Sequence, residues 1–213
     1  MNKRLLGMNG TRRGEIEDAA KRLFARRGYH ATSVRDIAAA LDLQGGSLYA
    51  HIASKEDVLW ELVSRAAEGF VRRAAAVERA EPDPRRRLER LVEEHVAVIT
   101  GDPDNAAVFH HEWRFLPPER RAAIAVQRRA YEGFFRRAIE EGAQAGVFEA
   151  EDPALAAVMV LSLGNWLYQW YRPGGRLPSE EIARRMNEFV ARALAPRLSA
   201  AGECPVDDAH SGG

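Results

Sequence analysis

Three groups of residues in this chain have types and spacings that could do chemistry. His95, His110, His111 and Glu112 offer imidazoles and a carboxylate to a metal or to a proton transfer. Adjacent residues on a helix point about 100° apart, however, so His110 and His111 cannot easily serve one ion. His95 falls on an apolar stripe, where a hydrogen-bonded core histidine is the ordinary reading, and the ligand spacing of a zinc site is missing. There is no Gly-rich phosphate loop, no GxSxG elbow, and no cysteine in a structured region. No catalytic residue and no metal are therefore assigned, and an enzyme is not expected.

The second group is a mixture of aromatic and guanidinium side chains. Trp113, Tyr131, Phe134, Phe135, Trp166 and Trp170 lie among Arg114, Arg120, Arg121, Arg128, Arg129, Arg136, Arg137 and Arg172. Arg121 with Arg128, and Arg129 with Arg136, are each two turns apart and share a face. Such a mixture is either core packing beside a solvated face, or an apolar pocket whose rim reads phosphate oxygens with guanidinium forks. The third group, Gln44, Gly45, Ser47, Tyr49 and His51, is a mostly polar set of donors at the front of a short helix. Small side chains there let the backbone approach a partner, as a recognition helix in a major groove requires.

The elements that position these groups read as all-α. Ser33 with Asp36 has the capping-box form and starts a helix at Val34, and Val34, Ile37, Ala38 and Leu41 make its apolar stripe. Asp42 and Leu43 turn the chain into the second helix, whose Leu48 and Ile52 face inward. Before this pair, residues 12–27 form a helix with Ile16, Ala20, Leu23 and Phe24 inward and Gly28 as its αL cap. Ser54 with Asp57 opens a long connector over residues 54–80, broken by Pro82 and Pro84. Beyond it come helices at residues 88–99 and 105–116, one running from Pro117-Pro118 to about residue 146, an apolar one over 154–171, and a last one over 178–194 with Ile182, Met186, Phe189, Val190 and Ala193 inward.

The chain of 213 residues carries no net charge and is 46% hydrophobic, which suits an ordinary globular protein. Charge is uneven, with a basic N-terminal segment that includes Arg12, Arg13, Lys21, Arg22, Arg26, Arg27 and Arg35. A lone cysteine, Cys204, and no apolar run at the N-terminus fit a reducing cytoplasm and no secretory signal. Residues 154–171 approach the length of a spanning helix but contain Ser162, Asn165 and Gln169. A helix buried between its own core and a partner is the better account, so no membrane partner is expected. The organisation expected is a helix-turn-helix unit over residues 11–58, a ligand-binding and dimerisation domain over 59–196, and flexible tails at 1–10 and 197–213. The last two helices of two subunits would pack as a four-helix bundle about a two-fold axis.

The strings TSVRDIA, GSLYAHI and SKEDVL resemble the N-terminal DNA-binding domain of the TetR family of bacterial transcriptional regulators, over roughly residues 11–60. The resemblance implies that Arg35, Gln44, Gly45, Ser47, Tyr49, His51 and Lys55 hold positions that touch double-stranded operator DNA. Gly45 stands where many members carry lysine, which shifts binding toward backbone N–H groups and neighbours such as Lys55. Residues 85–195, with HVAVITGDPDNAAVFHHEWRFLPPERRAAI, YEGFFRRAIEEGAQAGVF and LGNWLYQWYRPGG, resemble ligand domains of members that respond to acyl-coenzyme A thioesters and control lipid, steroid-ring or phenylacetate breakdown. This implies a homodimeric repressor on a palindromic operator, released by a fatty acyl- or phenylacetyl-CoA and needing no cofactor besides that effector. Trp113, Arg114, Tyr131, Phe134, Phe135, Asn165, Trp166, Trp170 and Arg172 are the expected ligand contacts. A multidrug-sensing repressor of the same fold is the alternative within this class, although the arginines argue against cationic ligands. A helical enzyme acting on acyl-CoA or using a metal at His110, His111 and Glu112 is the alternative outside it.

Overall fold

The computed structural model describes residues 12–196, so the expected tails, and Cys204 with them, lie outside the described residues. All regular elements in this span are helical. The first three are α1 (Arg12–Arg27), α2 (Val34–Ala39) and α3 (Gly45–Leu48). Their limits follow from local chemistry. Gly28 ends α1 with φ 85°, a conformation that a Cβ would resist. The Asp36 N–H donates to Ser33 Oγ at 3.1 Å while Asp36 Oδ2 accepts from the Ser33 N–H at 2.7 Å, closing the capping box of α2. Asp42 takes the left-handed region (φ 56°) in the turn between α2 and α3, where a short polar side chain is tolerated.

Helix α4 (Lys55–Ala80) leaves this unit and runs into the second. Its inward residues change partner on the way: Val58, Leu59 and Leu62 are buried near the first three helices, Phe70, Ala74 and Val77 farther along. Next come α5 (Pro84–Gly101) and α6 (Pro103–Ala107), each with Pro at its start and an aspartate cap, Asp83 and Asp102. Helices α7 (Pro118–Gln144), α8 (Pro153–Asn165), α9 (Leu167–Trp170) and α10 (Ser179–Ala193) complete the order. Helices α4, α5 and α7 pack mutually, α8 lies on α5 and α7, and α10 lies on α5. Leu91, Val92, Ile99, Ile124, Phe135 and Ile139 fill the space between them.

Three expectations need correction. The single helix expected over residues 105–116 is three pieces: α6, a π-helical turn at Val108–Glu112 and a 3₁₀ turn at Trp113–Phe115. Leu116, which precedes Pro117, is forced into extended backbone (ψ 153°) and closes the segment. The apolar stretch 154–171 breaks at Trp166 into α8 and α9, and no helix among the described residues is long and apolar enough to cross a membrane. Phe189 and Ala193 of α10 face outward, Phe189 with 59% exposure. Other large apolar side chains are exposed as well, among them Leu155, Met159 and Leu163 on α8 and Trp166 and Trp170 after it.

Candidate functional site

The group expected to face DNA is built from the inside. Leu48 is fully buried and Ile52 nearly so, and these two anchors turn the rest of the short helix outward. Gln44 caps α3 in extended conformation, and Gly45 begins the helix. Ser47, Tyr49 and His51 are exposed beside it, and Arg35 is exposed on α2. Lys55 differs from these. Its Nζ donates to the backbone carbonyls of Tyr29 at 2.8 Å and Thr32 at 2.7 Å, and it lies 4.1 Å from the centre of the Tyr29 ring. The ammonium expected to meet a phosphate thus ties the α1–α2 link to the start of α4. Burial holds its pKa below the usual lysine value.

Side chains from the second unit grip this one. Glu112 of the π turn accepts from the Tyr29 N–H at 2.9 Å, and Phe115 stacks on Tyr29 with ring centres 6.1 Å apart. Lys21 reaches Asp102 at 2.7 Å. Arg120 at the front of α7 bonds Glu56 at 2.9 Å and Asp57 at 2.7 Å, both in the first turn of α4.

A cavity of about 200 Å³ lies between α4, α5, the π turn, α7 and α8. Ala67 and Phe70 of the connector form one wall, Phe109 and His110 another, and Gln127, Arg128 and Tyr131 a third. Four buried side-chain atoms among the described residues have no hydrogen-bond partner: His95 Nε2, His110 Nε2, Gln127 Oε1 and an Arg128 terminal nitrogen. All four belong to residues lining this cavity. Two roomier hollows, of about 570 and 580 Å³, are lined by none of these residues.

Electrostatics of the cavity follow from desolvation. Burial pushes His95 down to about 4, offset in part by the Leu161 backbone, and its Nδ1 pairs with the Tyr131 hydroxyl at 3.0 Å. Burial, then Arg128 and the neighbouring histidines, push His110 down to about 3. Both imidazoles are therefore neutral at pH 7. The Arg128 guanidinium lies 5.0 Å from the Phe109 ring centre and 5.2 Å from that of Trp113, and burial lowers its pKa. Gly164 of α8 makes the close approach possible, because a Cβ there would sit 2.3 Å from His95 Cδ2.

Of the expected ligand contacts, Tyr131 and Asn165 line the cavity, and Trp113 supports Arg128 from behind. Phe135 is core beside His95 and Tyr131, and Phe134 is buried under Arg137. Arg114 folds back on His111 and Arg172 on the carbonyls of Gln169 and Tyr171. Trp166 and Trp170 are exposed and line no part of the cavity. His110 and His111 diverge around one ring: His110 stacks on Tyr168, and His111 Nε2 meets its hydroxyl. Sequence reasoning missed His110, Gln127 and Arg128 as lining. Arg128 had a signal, since it falls on the helix face that carries buried Ile124 and Phe135 and half-buried Tyr131.

Residues 16–62 match the family described as bacterial regulatory proteins, tetR family, and residues 81–194 match the family described as tetracyclin repressor-like, C-terminal domain. This chain belongs to the TetR family. It is 30% identical over 186 residues to the HTH-type transcriptional repressor KstR2 of Rhodococcus jostii (strain RHA1), covering 86% of this chain and 91% of that one. The structure of the ketosteroid transcriptional regulator KstR2 of Mycobacterium tuberculosis superposes with a TM-score of 0.84 at 26% identity, covering 91% and 100% of the two chains. AibR, solved in complex with isovaleryl coenzyme A and operator DNA, superposes with a TM-score of 0.75 at 28% identity, covering 88% and 100%. In this TetR-family regulator the first match spans most of α1 through the opening of α4, and the second spans α5 to α10. The middle of α4, with Ala67 and Phe70 against the cavity, bridges the two. Membership makes the chain a transcriptional regulator and not an enzyme.

Proposed function

We propose that this TetR-family regulator is a cytoplasmic homodimeric repressor that binds a palindromic operator through α2 and α3 and leaves it when an acyl-CoA thioester enters the cavity. The observation that carries the reading is that one helix, α4, forms both a wall of the cavity and the seat of the DNA-facing unit. A ligand filling the space between Phe70, Phe109 and Tyr131 presses on α4 and on the π turn. Their ends reach Tyr29 and Thr32 through Lys55 and Glu112. A ligand releases DNA only if it favours the arrangement that binds DNA poorly.

Size decides how a thioester would lie. A cavity of about 200 Å³ equals the liquid volume of about seven waters, so it takes an acyl end while the nucleotide head remains outside. AibR bound to isovaleryl coenzyme A supports this class of ligand. An unpaired guanidinium on the wall disfavours the cationic ligands of a multidrug sensor. The exposed apolar face of α8 and α10 supports the dimer, and the two-fold would set two α3 helices about one DNA turn apart.

The test is operator binding by fluorescence anisotropy, on a site selected from random duplexes, titrated with fatty acyl-CoA, phenylacetyl-CoA and free coenzyme A. A coupling of about 1 to 3 kcal/mol predicts about 5- to 150-fold weaker operator affinity with the right thioester, and little effect of free coenzyme A. No shift with any thioester at saturating concentration would overturn the acyl-CoA reading.

A further inference from the structure

The cavity wall is not that of a hydrocarbon pocket. Arg128 is held between Phe109 and Trp113 and makes no hydrogen bond or ion pair with any described residue, and one of its terminal nitrogens is buried without a partner. Gln127 Oε1, on the preceding residue, and His110 Nε2, across the cavity, are buried and unpartnered as well. A buried polar atom left without a partner costs about 1 to 3 kcal/mol, and more when charged. A saturated acyl chain pushed into this space would exclude water while leaving the Arg128 donor unmade. We infer that the end of the effector that enters the cavity is oxygenated, carrying a carbonyl or carboxylate oxygen that accepts from Arg128, so that the regulator responds to an oxidised acyl group and discriminates against the plain hydrocarbon.

Glu132 also lines the cavity, on the turn after Arg128. A guanidinium donor serves a neutral ketone oxygen as well as a carboxylate. Sites that hydrogen-bond a polar group of their ligand reject the analogue lacking it far more strongly than apolar pockets reject an altered chain length. Recognition here would also reach the DNA-facing unit. Arg128 grips Phe109 and Trp113, which flank His110, His111 and Glu112, and Glu112 holds the Tyr29 N–H.

The inference rests on the acyl-CoA reading for the thioester handle, and the experiment separates the two. Isothermal titration calorimetry of the full chain would use hexanoyl-, oxohexanoyl- and adipoyl-CoA, and the three corresponding free acids. Wild type should bind at least one oxygenated thioester about tenfold or more tightly than hexanoyl-CoA, the ketone and carboxylate arms showing which oxygen is preferred. Arg128→Met should erase that preference while binding hexanoyl-CoA as well as wild type or better. If Arg128→Met fails to fold, Arg128→Gln, which withdraws the charge and shortens the reach of the donor, should reduce the preference. Equal affinity of wild type for all three thioesters, or a preference untouched in the variants, overturns the inference and leaves the acyl-CoA reading standing. Preference among the free acids with no thioester bound does the reverse. Binding of none of the six compounds overturns both.

Discussion

Between pH 7 and pH 5 the folded protein should lose about 4 kcal/mol of stability through two side chains, about 2 kcal/mol from each. His95 and His110 titrate in the fold at about 4 and about 3 because burial excludes their charged forms. In the unfolded chain both take up a proton near pH 6.5. The unfolded state therefore binds more protons throughout the interval, and stability rises with pH there; it falls as pH drops below about 6.5 until the folded histidines themselves charge. The slope approaches about 1.4 kcal/mol per pH unit for each histidine. Urea unfolding at fixed protein concentration, which holds any subunit equilibrium constant, would read the loss at the two pH values. Comparison with His110→Gln cancels the exposed histidines and the carboxylates. The variant should lose about 2 kcal/mol less than wild type over the same interval. Equal losses in the two proteins would show that His110 is not held neutral by its surroundings, and would refute the reasoning from burial.

Three further outcomes follow from the geometry. Lys55→Ala removes two hydrogen bonds from an ammonium to Tyr29 and Thr32 and should cost about 2 kcal/mol of stability, discounted for partial exposure, with the salt dependence of operator binding unchanged; a salt slope lowered by about one in Lys55→Ala would place the ammonium on a phosphate instead. Arg120→Ala breaks the contacts of α7 with Glu56 and Asp57; effector and operator should each still bind, and the loss of operator affinity caused by effector should shrink by about 0.5 to 2 kcal/mol, which anisotropy with and without effector measures. Met159→Arg places a charge among the exposed apolar side chains of α8; the subunit should keep its fold because the side chain is outward, while light scattering should show a monomer and operator binding should fall, and a DNA-binding dimer would remove this face from the interface.

Much of the chain's architecture is local, and so was legible in residue order. The Ser33–Asp36 box, the φ of Gly28 and the proline and aspartate starts of α5 and α6 each depend on atoms within one turn. Apolar periodicity likewise marks which residues of a helix turn away from water, as with Ile16, Ala20 and Phe24 in α1. The same periodicity cannot say what those residues meet. Phe189 falls on the stripe of α10 yet faces outward, because an apolar stripe is wide enough to serve both a core and a neighbouring surface.

What only the tertiary structure decided is the polar chemistry. Lys55 is a loop tie because α4 starts beneath Tyr29 and Thr32, 26 and 23 residues away in the chain. Arg128 resembled its neighbours Arg121 and Arg129, both exposed, but the fold sets its guanidinium against the rings of Phe109 and Trp113. His95 is pressed against α8 only because residue 164 lacks a Cβ. A side chain's charge state and unmet hydrogen bonds depend on water being excluded from all sides at once. That exclusion is made by helices distant in sequence, so composition and spacing along one helix do not contain it.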